Sequence, residues 1–254
     1  LKALRAKKGE DVQIFSERTK MSVLNDAIMM NSDEYINWET GECYFNTPEF
    51  ISLLEFANEF PSEIDYEELY NDPQYWEKQE TLFRDGRALL QPYTISNFQD
   101  FQYCEGGTFG EQVTAVGFPV NKGTGNAYMC NFSFAISEKS KHKDVAWEFL
   151  RYYLTDEFQD ALEYGWPIKL SSLDKRVQKA QEKPYYEDEN GNKVEYDDTY
   201  YIGGMEIVLN PLTQADCERV LSFLNSADHV YNYDRNILSI LQEECAAYFE
   251  GQKS

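Results

Sequence analysis

"VTAVGFPVNKGTGNAYMCNFSFAISEKSKHKDVAWEFLRYYLTDEFQDALEYGWP", residues 113–167, passes from strand-like alternation to helical spacing within one run. With Glu111 and Gln112 before it, the first part reads as a strand ending in Gly117-Phe118-Pro119, and "YMCNFSFAIS" alternates as a second strand. Between them "KGTGNA" (122–127) is glycine-rich but lacks the full dinucleotide fingerprint and opens no helix, so it reads as a turn. Ser140 can then cap a helix in which Val145, Ala146, Phe149, Leu150 and Tyr153 recur at the spacing of one buried face. Thr155 can cap a second helix, carrying Phe158, Ala161 and Leu162. Gly165 suits a left-handed helix terminator, and Pro167 forbids continuation. Trp166 either folds back on the last turn, onto Ala161 or Leu162, or faces a cleft and stacks on a ligand.

The same mixture extends both ways along the chain. Thr19 to Met30 has helical spacing (Met21, Leu24, Ala27, Ile28), and "EYINWETGECYF" (34–45) flanks a Thr-Gly turn as a hairpin would. Thr47-Pro48 opens a helix whose core face is Phe50, Leu53, Leu54 and Ala57. "ETLFRDGRALLQPY" (80–93) predicts a helix, an Asp-Gly turn at 85 and 86, and a short strand reaching Pro92. Downstream, "YYEDENGNKVEYDDTYYIGG" (185–204) is an Asn-Gly hairpin with acidic, tyrosine-bearing arms. "LTQADCERVLSFLNSA" and "YDRNILSILQEECAAYFEG" finish as two amphipathic helices. Helices alternating with short strands place the chain in the α/β class, helix-rich and mixed, with α+β as the neighbouring option.

Composition narrows the function. A chain of 254 residues holds one large domain or one and a half. Its 19 Tyr, 16 Phe and 4 Trp exceed what a core of that size requires, so some rings belong to a surface that meets ligands with apolar faces and hydroxyls. The net charge of −22 repels phosphate backbones and anionic lipid, which argues against nucleic-acid and membrane-surface roles. The short basic run 139–143 reads as a solvated face. Five scattered cysteines without a C-x-x-C pair, and only two histidines, argue against a zinc site and imply no metal or other cofactor. "DENGN" (188–192) reads as a hairpin turn rather than a calcium loop, because its glycine falls too early and no helices flank it. His142 and His229 read as solvated, so no nucleophile–histidine–carboxylate arrangement can be argued. Carboxylate pairs such as Glu243 with Glu244 and Asp197 with Asp198 are what so acidic a chain produces by chance, and no residue stands out as a catalyst. The chain opens on Leu with no signal peptide and no apolar run near 18 residues, so it reads as a piece of something longer.

Read in order, several segments resemble the C-terminal two-thirds of extracellular solute-binding proteins of ABC sugar importers (family 1, similar to maltose-binding protein). "TGECYFNTPEFISLLEFANEFP" (40–61) looks like that family's strand-then-helix after the first lobe crossing, and "LFRDGRALLQPY" (82–93) like its segment leading to a strand beside the cleft. The run 113–159, with its "SKHKDVAWEF" helix start, is the most specific piece and resembles lipoprotein-type sugar-binding proteins of Gram-positive gut bacteria. The ending "YDRNILSILQEECAAYFEGQKS" (233–254) looks like their penultimate helix and its exit.

The resemblance implies a periplasmic-binding-protein-like type II fold, incomplete here, with segments 1–109 and 171–254 in the second lobe and 110–170 contributing hinge-crossing strands and helices to the first. It implies a monomeric cell-surface lipoprotein, anchored outside the cytoplasmic membrane, that closes over a neutral oligosaccharide and delivers it to ABC permease subunits without a chemical step. Trp166 would then be an aromatic platform for a sugar ring, with Tyr93 and Tyr233 in similar roles and Asn131, Asp234 and Arg235 as hydroxyl partners. Asn97 reads as the cap of the next turn. The alternatives are a glycan-processing enzyme, which needs two carboxylates facing each other, and a surface interaction module on the same fold. Tyrosines gathered in one concavity favour a ligand, and tyrosines spread over a flat face favour a partner.

Overall fold

A computed structural model describes residues 3, 6, 7, 9, 12–120, 123–130, 132–231 and 233–252. Its elements include, in chain order, α1 (Lys20–Met30), α2 (Ser32–Tyr35), α3 (Pro48–Ala57), α4 (Tyr66–Tyr70), α5 (Tyr75–Glu80), α6 (Phe98–Gln102) and a π-helix (Tyr103–Phe109). There follow β1 (Ala127–Tyr128), α7 (Lys143–Tyr152), α8 (Asp156–Ala161), α9 (Leu170–Ala180), β2 (Tyr185–Glu187), β3 (Lys193–Glu195), β4 (Asp198–Ile202), β5 (Met205–Leu209), α10 (Gln214–Ser226), β6 (His229–Val230) and α11 (Arg235–Phe249). The chain is mixed helix and sheet, as the patterns predict, and among the described residues its strands pair two by two. It forms two compact units and passes between them after residues 14, 75, 113, 131 and 224.

The first unit comprises residues 1–14, 76–113 and 132–224. Its core gathers Ile95, Phe98 and Phe101 with Leu212, Cys217 and Val220, and Tyr93, Trp166, Val177 and Phe223 border it. Asn97 caps α6 as expected, its side-chain oxygen accepting the Asp100 N–H at 2.8 Å. The Asn-Gly hairpin forms as β2–β3, and Asp188 holds its turn by accepting the N–H groups of Asn190 and Asn192 at 2.9 and 2.8 Å. A second hairpin, β4–β5, pairs Ile202 with Met205 across Gly203 and Gly204. Both glycines have positive φ (53° and 75°), the geometry of a two-residue type I′ turn.

The second unit comprises residues 15–75, 114–131 and 225–254. Thr19 and Ser22 form a reciprocal capping box at the start of α1, which buries Val23, Leu24, Ile28 and Met29 against α3 and α11. Thr47 caps α3 by accepting the Phe50 N–H, with Pro48 at the first helical position where its missing donor costs nothing. Tyr35, Phe45 and Phe50 close a triangle of rings at 5.1 to 5.8 Å beside it. The hairpin expected over 34–45 shrinks to one bridge, Ile36 to Cys43, because α2 takes up the start of its first arm. β1 and β6 pair in parallel.

Several segments depart from their reading. No strand forms over 111–120, and of the second predicted strand (128–137) only Tyr128 pairs among the described residues, together with Ala127 of the preceding turn. Nor does the segment before Pro92 become a strand; it keeps a single bridge from Ala88 to Gln13. Alternation specifies extended backbone, whereas a strand also needs a neighbour to bond. α7 begins at Lys143, so Ser140 lies outside it and accepts the His142 N–H at 3.2 Å instead of capping the helix. The face read as buried is only partly covered: Ala146, Leu150 and Tyr153 are half-buried, while Val145 is 62% and Phe149 64% exposed. Thr155 does cap α8, accepting the Phe158 N–H at 3.3 Å.

Candidate functional site

In the first unit, α6 runs straight into the π-helix, a rare element that recurs at functional positions. Its end is held by Arg84, whose guanidinium donates to the carbonyls of Gly106 and Gly107, both at 3.0 Å. Glu105 points from it toward α10, where Arg219 grips both carboxylate oxygens at 2.9 and 3.0 Å. The pair is mostly shielded, and the Arg219 guanidinium also lies 5.2 Å from the centre of the Phe101 ring. A planar fork on a carboxylate is the strongest of ordinary side-chain contacts, so it fixes the π-helix to α10.

Tyr93 stands beside this pair. Its ring meets Phe109 edge-on at 5.2 Å and stacks on Phe223 at 6.2 Å. Burial, reinforced by the neighbouring Cys104 and Glu105, pushes its phenol up to about 12 against the opposing pull of Arg219. Burial, with Asp100 and Glu105 behind it, takes the Cys104 thiol to about 11. Tyr200 donates to the Tyr103 carbonyl at 2.6 Å, and burial takes its phenol to about 12. All three groups are protonated at neutral pH. They can donate and accept hydrogen bonds.

Trp166 borders the same core. Its indole N–H donates to the Ile95 carbonyl at 2.9 Å and its ring meets Phe98 edge-on at 5.1 Å. The turn before it is fixed by Arg176, which donates to the Gly165 carbonyl at 2.7 Å, while Gly165 itself has φ +79°. Its packing partners thus come from around α6, distant in sequence, where spacing pointed to the adjacent turn. Tyr93 and Trp166 are therefore brought to one cluster.

Tyr233, Asp234 and Arg235 lie in the second unit, at the start of α11. Tyr233 is exposed and stacked at 6.5 Å on Tyr231, whose phenol is pushed up by burial and by Asp26. Asp234 spends one oxygen capping α11, accepting the N–H groups of Asn236 and Ile237 at 2.8 and 3.2 Å. Arg235 is exposed at the first helical position. Asn131 lies outside the described residues.

Sequence reasoning passed over Glu105, Arg219 and Asp228. The Arg219 partnership spans 114 positions and has no local signal. His229, read as solvated, is instead paired: its Nδ1 lies 2.6 Å from Asp228, while Nε2 is buried with no partner among the described residues. The other Asp228 oxygen accepts the Thr124 N–H at 2.7 Å, and the Asn126 amide donates to Ser226 at 2.8 Å, so these residues tie the glycine-rich turn to the end of α10. His142 is exposed as expected. The chain matches no protein-family model and no curated protein.

Proposed function

We propose that this chain is the solute-binding component of an ABC sugar importer, a family 1 protein on a periplasmic-binding-protein-like type II fold. It captures a neutral oligosaccharide outside the cell as a membrane-anchored lipoprotein, passes it to the permease subunits, and catalyses nothing. The observation that carries the reading is Tyr93, a half-buried ring with a neutral phenol beside the Glu105–Arg219 fork. A pyranose has C–H faces that stack on such a ring and hydroxyls that a guanidinium and a carboxylate satisfy at its rim. Isothermal titration of the chain with a panel of neutral oligosaccharides tests it. The expected result is saturable binding that weakens at least ~tenfold in Tyr93→Ala, a loss of roughly 1.4 kcal/mol. A folded protein that gives no heat with any sugar overturns the reading.

A surface interaction module is the second reading, favoured by one observation. The exposed tyrosines are spread over many elements, among them Tyr66 and Tyr70 on α4, Tyr185 and Tyr186 on β2, and Tyr201 on β4. Rings so dispersed suit partner surfaces better than a single concavity.

A further inference from the structure

In the first unit, β2 (Tyr185–Glu187) and β3 (Lys193–Glu195) pair only with each other among the described residues, and all their residues are exposed except the half-buried Val194. Both faces of this ribbon therefore meet water. Alternation sorts its side chains. Tyr186, Val194 and Tyr196 share one face, on which the two tyrosine rings lie 6.3 Å apart, and the Tyr196 N–H extends the ladder to the Pro184 carbonyl at 3.0 Å. Tyr185, Glu187, Lys193 and Glu195 share the other. There the Lys193 ammonium sits 3.9 Å from the centre of the Tyr185 ring, so a cation already occupies one tyrosine face of the ribbon.

The rings stand in a strongly acidic setting. Residues 184–201 carry Glu187, Asp188, Glu189, Glu195, Asp197 and Asp198 against Lys193 alone, a net of −5 in 18 residues and about three times the average charge density of the chain. The similarly acidic stretch 61–80 is divided between the two units, whereas this ribbon lies wholly in the first. Lys183 pairs with Asp197 at 2.8 Å and Lys193 with Glu182 at 3.5 Å, which leaves Glu187 and Glu189 in no ion pair among the described residues. Tyr186 is 55% and Tyr196 44% exposed. Exposed rings beside unneutralised carboxylates repel anions and suit a side chain that is apolar along its stem and cationic at its tip.

We propose that the β2–β3 ribbon is a docking arm for an arginine-rich segment of another polypeptide. Stems and guanidinium planes of the segment lie on Tyr186 and Tyr196, and its charges are met by Glu187 and, nearer the turn, Glu189. The contact of Lys193 with Tyr185 on the opposite face is the same chemistry satisfied within the chain. Arginine fits better than lysine because its planar, weakly hydrated head stacks on aromatic faces. The inference does not rest on the carbohydrate reading, and sugar is left out of its test.

Isothermal titration with deca-arginine and with decalysine, at ~0.15 M salt to screen distant charge, tests it. Saturable binding of deca-arginine and weaker binding of decalysine are expected. Tyr186→Ser with Tyr196→Ser, which leaves the charge unchanged, should weaken deca-arginine at least ~fivefold. Glu187→Gln with Glu189→Gln should weaken it about threefold, while Glu111→Gln with Glu163→Gln, which removes the same charge from exposed positions elsewhere in the unit, should leave it within ~1.5-fold. Melting curves establish that each variant is folded. The proposal is overturned if deca-arginine does not bind. It is equally overturned if the two glutamate pairs weaken binding alike, or if the tyrosine variant binds like the parent, because the general acidity of the protein would then be holding the peptide.

Discussion

Replacing Trp166 tests whether its indole is held by the first unit or held ready for a ligand. Two fixed contacts are at stake, the N–H to the Ile95 carbonyl and the edge contact with Phe98. Tryptophan to alanine in a core costs ~3 to 5 kcal/mol. Because Trp166 is only partly buried, the lower end applies, and Trp166→Ala should lose about 3 kcal/mol. Trp166→Phe keeps a ring against Phe98 but strands the Ile95 carbonyl, a loss of about 1 to 2 kcal/mol. Urea unfolding read by circular dichroism and by tryptophan emission measures both, with the transition of the first unit followed by itself since two units need not unfold together. Emission is informative here: Trp38, Trp76 and Trp147 are 45 to 51% exposed, so Trp166 supplies the bluest component. If Trp166→Ala costs under ~1 kcal/mol, or Trp166→Phe costs as much as Trp166→Ala, the indole is not held as described. A Trp166→Phe protein that is fully stable yet loses sugar binding would make the ring a ligand platform.

Two further outcomes follow from the protonation states. Cys43 and Cys130 are exposed, so they should react with a thiol reagent within minutes at mildly alkaline pH; Cys104, its thiol pushed up to about 11, and the buried Cys217 and Cys245 should react only after denaturation. Mass spectrometry of the labelled peptides decides it, and fast labelling of Cys104 would refute its placement. Asp228 is held below the usual carboxylate range, first by His229 and then by the Thr124 N–H. A depressed carboxyl contributes stability that is fully present above pH ~4 and lost as pH falls through the folded value. Asp228→Asn should therefore be less stable than the parent at neutral pH and equal to it in strong acid; a gap that persists in acid would refute the pairing.

Helix starts were legible because they are short-range chemistry. Thr19, Thr47, Asn97 and Thr155 each cap the helix their spacing announces, since the bond runs from a side chain to an amide three positions on. Asp234 adds a cap that its reading did not include, one of its oxygens accepting the first amides of α11. The β4–β5 turn was legible in principle too, as Gly-Gly between two alternating runs, but "IGG" was read as the end of the preceding hairpin.

What escaped reading is non-local. Trp166 finds Ile95 across 71 positions, Arg219 finds Glu105 across 114, and Thr124 finds Asp228 across 104. Nothing in a local window encodes such pairings. The predicted strands and the stripe of α7 failed for a related reason. Alternation over "FSFAI" and the spacing of Val145, Phe149 and Tyr153 announce apolar faces, and the helix of the second is there. Periodicity states that a face must be covered; it does not name the cover. Where the cover is distant in the same unit, as for Phe98 beneath Trp166, burial follows. Where no described residue supplies it, as over Phe132 and Phe149, the same pattern stays exposed.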